Sequence, residues 1–449
     1  MADLLPVTGI LLVGGASERF GSAKARATFR GETLAERAWR ILHEVCEEVF
    51  AVGKGDGAGL RFPVFDDGAN ERAPIFGLIA GLRLASNDVC LVLPVDVPLI
   101  TPEALRALAA TRTVPQTGPL PGAYPKDALA ELEARVARGE LSLRGVNPLV
   151  LDLDETLLLN VNTRMDLLTA SVADWARERE DVRGALVVGS QARTESPADR
   201  WSDLDIVLFV DDPQRLAADE SWVTSFGTPV LTFLEATAFG GGVERRVLYE
   251  TGEDVDFPLL EASAWRELGS SPEARVLLAR GYRVLHDELG LEEELAELAP
   301  PPADAPPDSA ALKELSSDFW YHALWTAKKL RRGEIFTAID CLDGYLKWRL
   351  LTLLRWHARS VDPSVETWHG GRFLERWADP GALAALERAY AHYDLRDVAR
   401  ALWETIDLFQ GLEEEVARRL GLEAGLDHAD LRRRVADVVP DVRHGAGEW

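Results

Sequence analysis

The chain has 449 residues, and 49 Lys+Arg against 74 Asp+Glu give it a formal net charge of −25. That length holds two or three domains with cores of their own, and 47% hydrophobic with 27% charged residues is ordinary for globular protein. The acidic balance argues against a DNA or RNA scaffold, although a few local cations or one metal ion can still hold a nucleotide. Cys46, Cys90 and Cys341 are too few and too scattered for a disulfide framework or a zinc site. No apolar run reaches the ~18 residues that span a bilayer. The apolar N-terminus lacks a basic flank and runs straight into a glycine loop, which fits a buried strand better than a signal peptide. The expectation is a cytoplasmic protein with no nucleic-acid or membrane partner.

In chain order, Gly9–Val13, Glu48–Val52, Val89–Val95 and Leu149–Leu153 are nearly continuous apolar runs, as expected for strands covered on both faces. Helix-like segments such as Leu34–Val45 and Pro102–Ala110 lie between them, so residues 1–170 read as an α/β doubly wound domain. Residues 171–298 open with an acidic helix, followed by strands at Gly184–Val188, Asp203–Val210 and Asp254–Leu260, an α+β pattern. Ala299–Pro307 reads APPPADAPP and suits a stiff linker. From 308 to 449 the pattern is helical. Ile335, Ile339, Leu342, Leu346, Leu350 and Leu353 fall on one face, which predicts an all-α helical bundle. Tryptophan is concentrated in this last segment, and most of its copies are expected in the core.

The first strand leads into Gly14-Gly15, with Arg19 and Lys24 following. Paired glycines let backbone N–H groups approach phosphate oxygens, and the two cations supply charge. The segment Leu12-Val13-Gly14-Gly15-Ala16-Ser17-Glu18-Arg19-Phe20-Gly21-Ser22-Ala23-Lys24 resembles the signature of molybdenum-cofactor guanylyltransferases. The likeness continues through Asp67, Pro74–Gly81, Leu93–Pro98 and Asn160–Thr163. It implies that Leu12, Gly14, Gly15, Arg19 and Lys24 hold an NTP, with Lys24 also catalytic. Asp67 would help recognise the nucleotide, and Asp96 with Asn162 would bind Mg²⁺. Asp96 sits where an α/β sheet presents ligands, and a carboxylate there suits a hard cation. Where the family tends to carry an Asn after the second strand, this chain has Gly53-Lys54-Gly55, which leaves GTP, CTP or ATP open.

A second motif follows the strand at 184–188. In a strand, residues i and i+2 face the same way, so Asp203 and Asp205 present two carboxylates together. Such a pair repels itself unless a cation neutralises it, and Gly189-Ser190 before it offers a cradle for phosphate. The arrangement Gly189-Ser190-Gln191-Ala192-Arg193…Ser202-Asp203-Leu204-Asp205 resembles the polymerase-β-type nucleotidyltransferases, and within them the streptomycin-type aminoglycoside adenylyltransferases. Trp222…Phe226-Gly227, Val255-Asp256-Phe257 and Gly281–Asp287 extend the likeness, which then enters the helical segment. It implies metal ligation by Asp203 and Asp205, a carboxylate set completed by Asp256 acting as general base, and phosphate contacts from Gly189, Ser190 and Arg193. Trp320, Tyr321, His322, Asp340 and Asp343 lie on faces that could line an acceptor site, and Glu413–Glu415 reads as a solvated acidic face.

The expectation is a bifunctional Mg²⁺-dependent nucleotidyltransferase. It would transfer NMP from an NTP to small-molecule acceptors and release pyrophosphate. The first module would serve molybdopterin or a similar phosphate acceptor, and the second an aminoglycoside-like hydroxyl. The alternatives are one catalytic module beside a regulatory one, or a nucleotide-binding protein without turnover.

Overall fold

The computed structural model describes the chain except residues 1–2, 14–23, 55–58, 238–241, 269–270, 298–304, 424 and 445–449. The chain forms two compact units, residues 1–301 and 302–449.

The first unit contains two large sheets and two short two-stranded ones. Strands β1 (Leu5–Val13), β2 (Cys46–Gly53), β3 (Val64–Asp66), β4 (Val89–Pro94) and β5 (Gly122–Pro125) form the first, in the order β3-β2-β1-β4-β5. All neighbours are parallel except the β4/β5 pair. Helices α1 (Leu34–His43), α2 (Pro74–Leu84) and α3 (Pro102–Thr111) cover it. A capping box between Thr33 and Glu36 starts α1, and Thr101 caps α3. The expected strand at 149–153 shrinks to Val150–Leu151, which pairs with Val114–Pro115 outside the main sheet. Leu149 and Val150 are exposed, so the run lacks the two covered faces that its composition suggested.

The second sheet has β6 (Val182–Val188), β7 (Leu204–Val210), β8 (Pro229–Ala236), β9 (Val243–Tyr249), β10 (Asp254–Glu261) and β11 (Arg283–Asp287), in the order β8-β9-β10-β7-β6-β11. Only β7 and β10 run parallel. The hairpin β8–β9 was not legible in advance: Val230, Leu231, Phe233 and Leu234 are all exposed and show no alternation. Helix α4 (Arg164–Arg177) joins the sheets. Phe29, Leu34, Leu99 and Val161 from the first sheet's side share one apolar cluster with Leu168, Val187, Leu208 and Phe257.

The second unit is helical, led by α5 (Ser309–Arg331), α6 (Leu346–Val361), α7 (Leu395–Leu420) and α8 (His428–Ala436). The predicted face is there, with Leu342, Leu346, Leu350 and Leu353 buried, but a π-helical turn at Asp340–Tyr345 interrupts it before α6. Trp320, Trp368, Trp377 and Trp403 are core residues, whereas Trp348 is exposed. Buried Lys347 donates to Ala389 O at 2.9 Å, Thr405 Oγ1 at 3.0 Å and Asp343 Oδ1 at 3.2 Å, and burial draws its pKa down to about 8.

Glu413 is not on a solvated face. It is 1% exposed, accepts a hydrogen bond from Ser316 Oγ at 2.5 Å, and faces His428 Nε2 at 3.2 Å. Helix amphipathicity misleads here because α8 packs over that stripe and supplies the partner. Hydrogen bonding to Glu413 raises the pKa of His428 above its ordinary 6.5. The protonated imidazole therefore stabilises the fold fully below that value, and the contribution fades as pH rises through the raised folded pKa. His428→Gln should accordingly lose stability relative to the parent in mildly acidic buffer. The difference in unfolding midpoint should shrink toward alkaline pH; a constant difference would exclude the ion pair.

Candidate active sites

The parallel strands of the first sheet end on one edge, where Val13, Gly53, Asp66 and Pro94 lie. Just past this edge, Lys24 Nζ donates to Asp96 Oδ2 at 2.8 Å and to Asn162 Oδ1 at 2.9 Å. Three residues far apart in sequence thus meet at one point. Asp96 does not cap a helix, since Thr101 takes that role for α3. Gly14, Gly15 and Arg19 lie outside the described residues. Leu12 is packed in the core under α2, where a Cβ on Gly77 would come within 2.8 Å of its side chain, and it pairs with Val52 and Pro94 on the two neighbouring strands. Asp67 is not part of the Lys24 cluster. It pairs with Lys54 at 3.6 Å, and Lys54 also donates to Ala69 O at 2.7 Å. Gly53 is required by close approach, since a Cβ there would lie 1.7 Å from Val13 O.

The second cluster is on the second sheet. β7 and β10 pair in parallel with Asp205 opposite Asp256, and Asp203 precedes β7. One carboxylate oxygen from each of Asp203, Asp205 and Asp256 lies within 4.8 Å of the others, the one such metal-compatible group among the described residues. Val255 and Phe257 point into the core, where Phe257 packs edge-on to Trp222 at 4.9 Å and beside Phe226 at 5.9 Å. The aromatic segment at 222–227 therefore anchors β10 from below and leaves Asp256 on the opposite face. Burial pushes Asp256 up to about 6, with Arg246 opposing and Glu244 and Asp203 adding to the rise.

Gly189 ends β6 with φ +69°, and a Cβ there would sit 2.3 Å from Asp205 Oδ2. Ser190 is buried, and its hydroxyl donates to Asp203 O at 3.3 Å. The Gly-Ser turn thus fixes the backbone entering the carboxylate strand. Arg193 Nε donates to Ser196 O at 2.7 Å. Gly189→Ala should cost about 1–2 kcal/mol from the left-handed backbone alone, and should displace Asp205. Second-module turnover in this variant should fall at least about tenfold, as a barrier increase of 1.4 kcal/mol implies; turnover at the parental rate would refute the close fit.

Arg246 and Glu244 were missed. On β9, Arg246 lies opposite Asp256 and approaches it to 3.5 Å, while its Nε is 2.9 Å from both Glu235 and Glu244. Buried Arg245, between them in sequence, faces the other way toward Glu220 at 2.8 Å. The i, i+2 pair of Glu244 and Arg246 was the available signal. In the helical unit, Trp320 is 2% exposed and belongs to the core, and Asp343 is held by Lys347 and Ala391 N. His322 pairs with Asp318 at 2.7 Å and lies against Tyr345, while Tyr321 is 68% exposed. No helix among the described residues is long and apolar enough to cross a membrane.

A Lys–Asp–Asn cluster past the edge of a parallel sheet, and a Gly-Ser turn beside three carboxylates, fit a chain with two nucleotidyltransferase modules. Residues 163–434, more than half of the chain, match the family model for streptomycin adenylyltransferase, and residues 9–146 match the MobA-like NTP transferase domain. The chain belongs to the streptomycin adenylyltransferase family and carries a MobA-like NTP transferase domain before it. It is 22% identical over 259 residues to the aminoglycoside 6-adenylyltransferase of Bacillus subtilis, covering 55% of this chain and 88% of that protein. It is 33% identical over 191 residues to the "Probable molybdenum cofactor guanylyltransferase" of Chloroflexus aggregans, covering 36% of this chain and 91% of that protein. A protein of the same description from Aquifex aeolicus is 31% identical over 176 residues, covering 36% and 88%. Both modules thus belong to nucleotidyltransferase families, and the chain is an enzyme of that type.

Proposed function

We propose that the chain is a bifunctional Mg²⁺-dependent nucleotidyltransferase divided into three functional parts, residues 1–170, 171–298 and 308–449. In the second module an acceptor hydroxyl attacks the α-phosphorus of ATP, the oxygen–phosphorus bond forms, and pyrophosphate leaves. Asp256 takes the hydroxyl proton, and its pKa of about 6 suits a base working near neutrality. Asp203 and Asp205 would hold Mg²⁺, which when bound neutralises the phosphate charge. Their fit to a cation rests on the chemistry of the set: three carboxylates within 4.8 Å of one another, one of them buried. This geometry is the single observation that carries the reading. The helical part receives an aminoglycoside-like acceptor.

In the first module the glycine loop and Lys24 hold the NTP, Asp67 contributes to its recognition, and Asp96 with Asn162 holds the metal. The acceptor is a phosphate-bearing molecule of the molybdopterin type, and the protein works in the cytoplasm without nucleic acid. A pyrophosphate-release screen of ATP, GTP and CTP against phosphorylated pterins and an aminoglycoside panel tests this. Release is expected with at least one pair for each module. Lys24→Ala should silence one activity and Asp205→Asn the other; no release with any pair would overturn the proposal.

A further inference from the structure

Trp201 is 77% exposed and lies two residues before Asp203. Leaving an indole in water forgoes the gain from burying it. The loop that carries it is laced to the Gly-Ser turn along its length. Arg193 Nε donates to Ser196 O at 2.7 Å, and Ala198 N donates to Ser190 O at 3.2 Å. Ser190 Oγ and Gln191 Nε2 both donate to Asp203 O at 3.3 Å. At the tip, Asp199 Oδ1 accepts from Trp201 N at 2.8 Å, and Ser202 Oγ accepts from Asp199 N at 3.0 Å. The backbone of Trp201 is thus held on both sides, while its ring joins none of the apolar clusters of the second sheet. The guanidinium carbon of Arg200 sits 4.1 Å from the centre of the indole, over one face. Two residues of chain reach at most about 7 Å, so this ring stands beside the carboxylate cluster.

We propose that Trp201, backed by Arg200, is the platform on which the nucleobase of the second module's NTP stacks. The proposal rests on the reading that Gly189-Ser190 and the three carboxylates hold the triphosphate and its metal. A nucleobase is flat and uncharged, and its π-face matches an indole fixed at the mouth of a phosphate turn. Arg200 disfavours the acceptor at this position. A polyammonium sugar is repelled by a guanidinium 4.1 Å from the ring, whereas a nucleotide brings phosphates that attract it. The stack forms with the bound nucleotide and does not change as the α-phosphorus reacts. It therefore adds affinity for NTP and leaves the chemical step alone.

The test uses the full chain carrying Lys24→Ala, which silences the first site, and calorimetric titration with ATP and with inorganic tripolyphosphate, each with Mg²⁺. Adding Asp205→Asn identifies the binding that belongs to the second site. Trp201→Ala should raise Kd for ATP about tenfold, a change of about 1.4 kcal/mol. Trp201→Leu should lose as much, because it keeps apolar bulk without a π-face, and Trp201→Phe should recover most of the affinity. Tripolyphosphate carries the charge without the base, so its Kd should stay within about twofold in all three variants. The unfolding midpoint should hold, since the ring lies outside the apolar clusters. With ATP binding weakened by Asp205→Asn, an unchanged Kd in Trp201→Ala, full recovery in Trp201→Leu, or an equal rise for tripolyphosphate overturns the inference alone. ATP binding that is absent, or unmoved by Asp205→Asn, overturns the reading of the second site, and the inference with it.

Discussion

Replacing both Asp203 and Asp205 by Asn is expected to lower second-module transfer by at least about 10³-fold, on the scale of removing preorganised electrostatic stabilisation from a phosphoryl-transfer site. The side chains keep their size, and neither is part of the apolar cluster beneath β7 and β10, so the unfolding midpoint should hold. It could even rise, because two of three mutually repelling carboxylates are gone. This combination separates a metal-binding role from a structural one. Mg²⁺ should raise the midpoint of the parent chain more than that of the double variant, which keeps only the metal position of the first module. Parental transfer rates in the double variant would remove the carboxylates from the chemistry.

Lys24→Ala is expected to lower first-module turnover about 10²-fold, since it deletes a positive side chain in contact with both Asp96 and Asn162. Lys24→Arg should restore little, because a planar fork does not replace a compact ammonium that bridges two oxygens. The two Lys24 variants should leave the second module's rate within about twofold, as expected for sites that share no ligand. Equal loss in both modules would mean that Lys24 supports the shared core of the first unit rather than a nucleotide.

Much of the two sites was readable from residue order because their chemistry is local. Gly189-Ser190 and Asp203…Asp205 lie within 17 positions, where strand alternation alone aligns the carboxylates. Lys24, Asp96 and Asn162 span 138 positions, and no periodicity joins them; the family likeness brought them together on paper, and the sheet edge does so in space. Arg246 and Glu244 escaped because charges in a strand read as surface until the neighbouring strand is known. Glu413 was misplaced for a similar reason, since the helix that covers it follows in the chain and is rich in arginine. Asp67 stands apart from the Lys24 cluster because Lys54, in the loop that departs from the family pattern, takes its carboxylate.

On this reading the carboxylate cluster of the second sheet serves transfer of a nucleotide to a hydroxyl. Mass spectrometry of an aminoglycoside panel after incubation with ATP and Mg²⁺ tests it most directly. The parent chain should yield an acceptor heavier by one AMP unit, and Asp205→Asn none. Formation of the same adduct by both chains would contradict it, as would ATP turnover by the parent that leaves every acceptor unmodified.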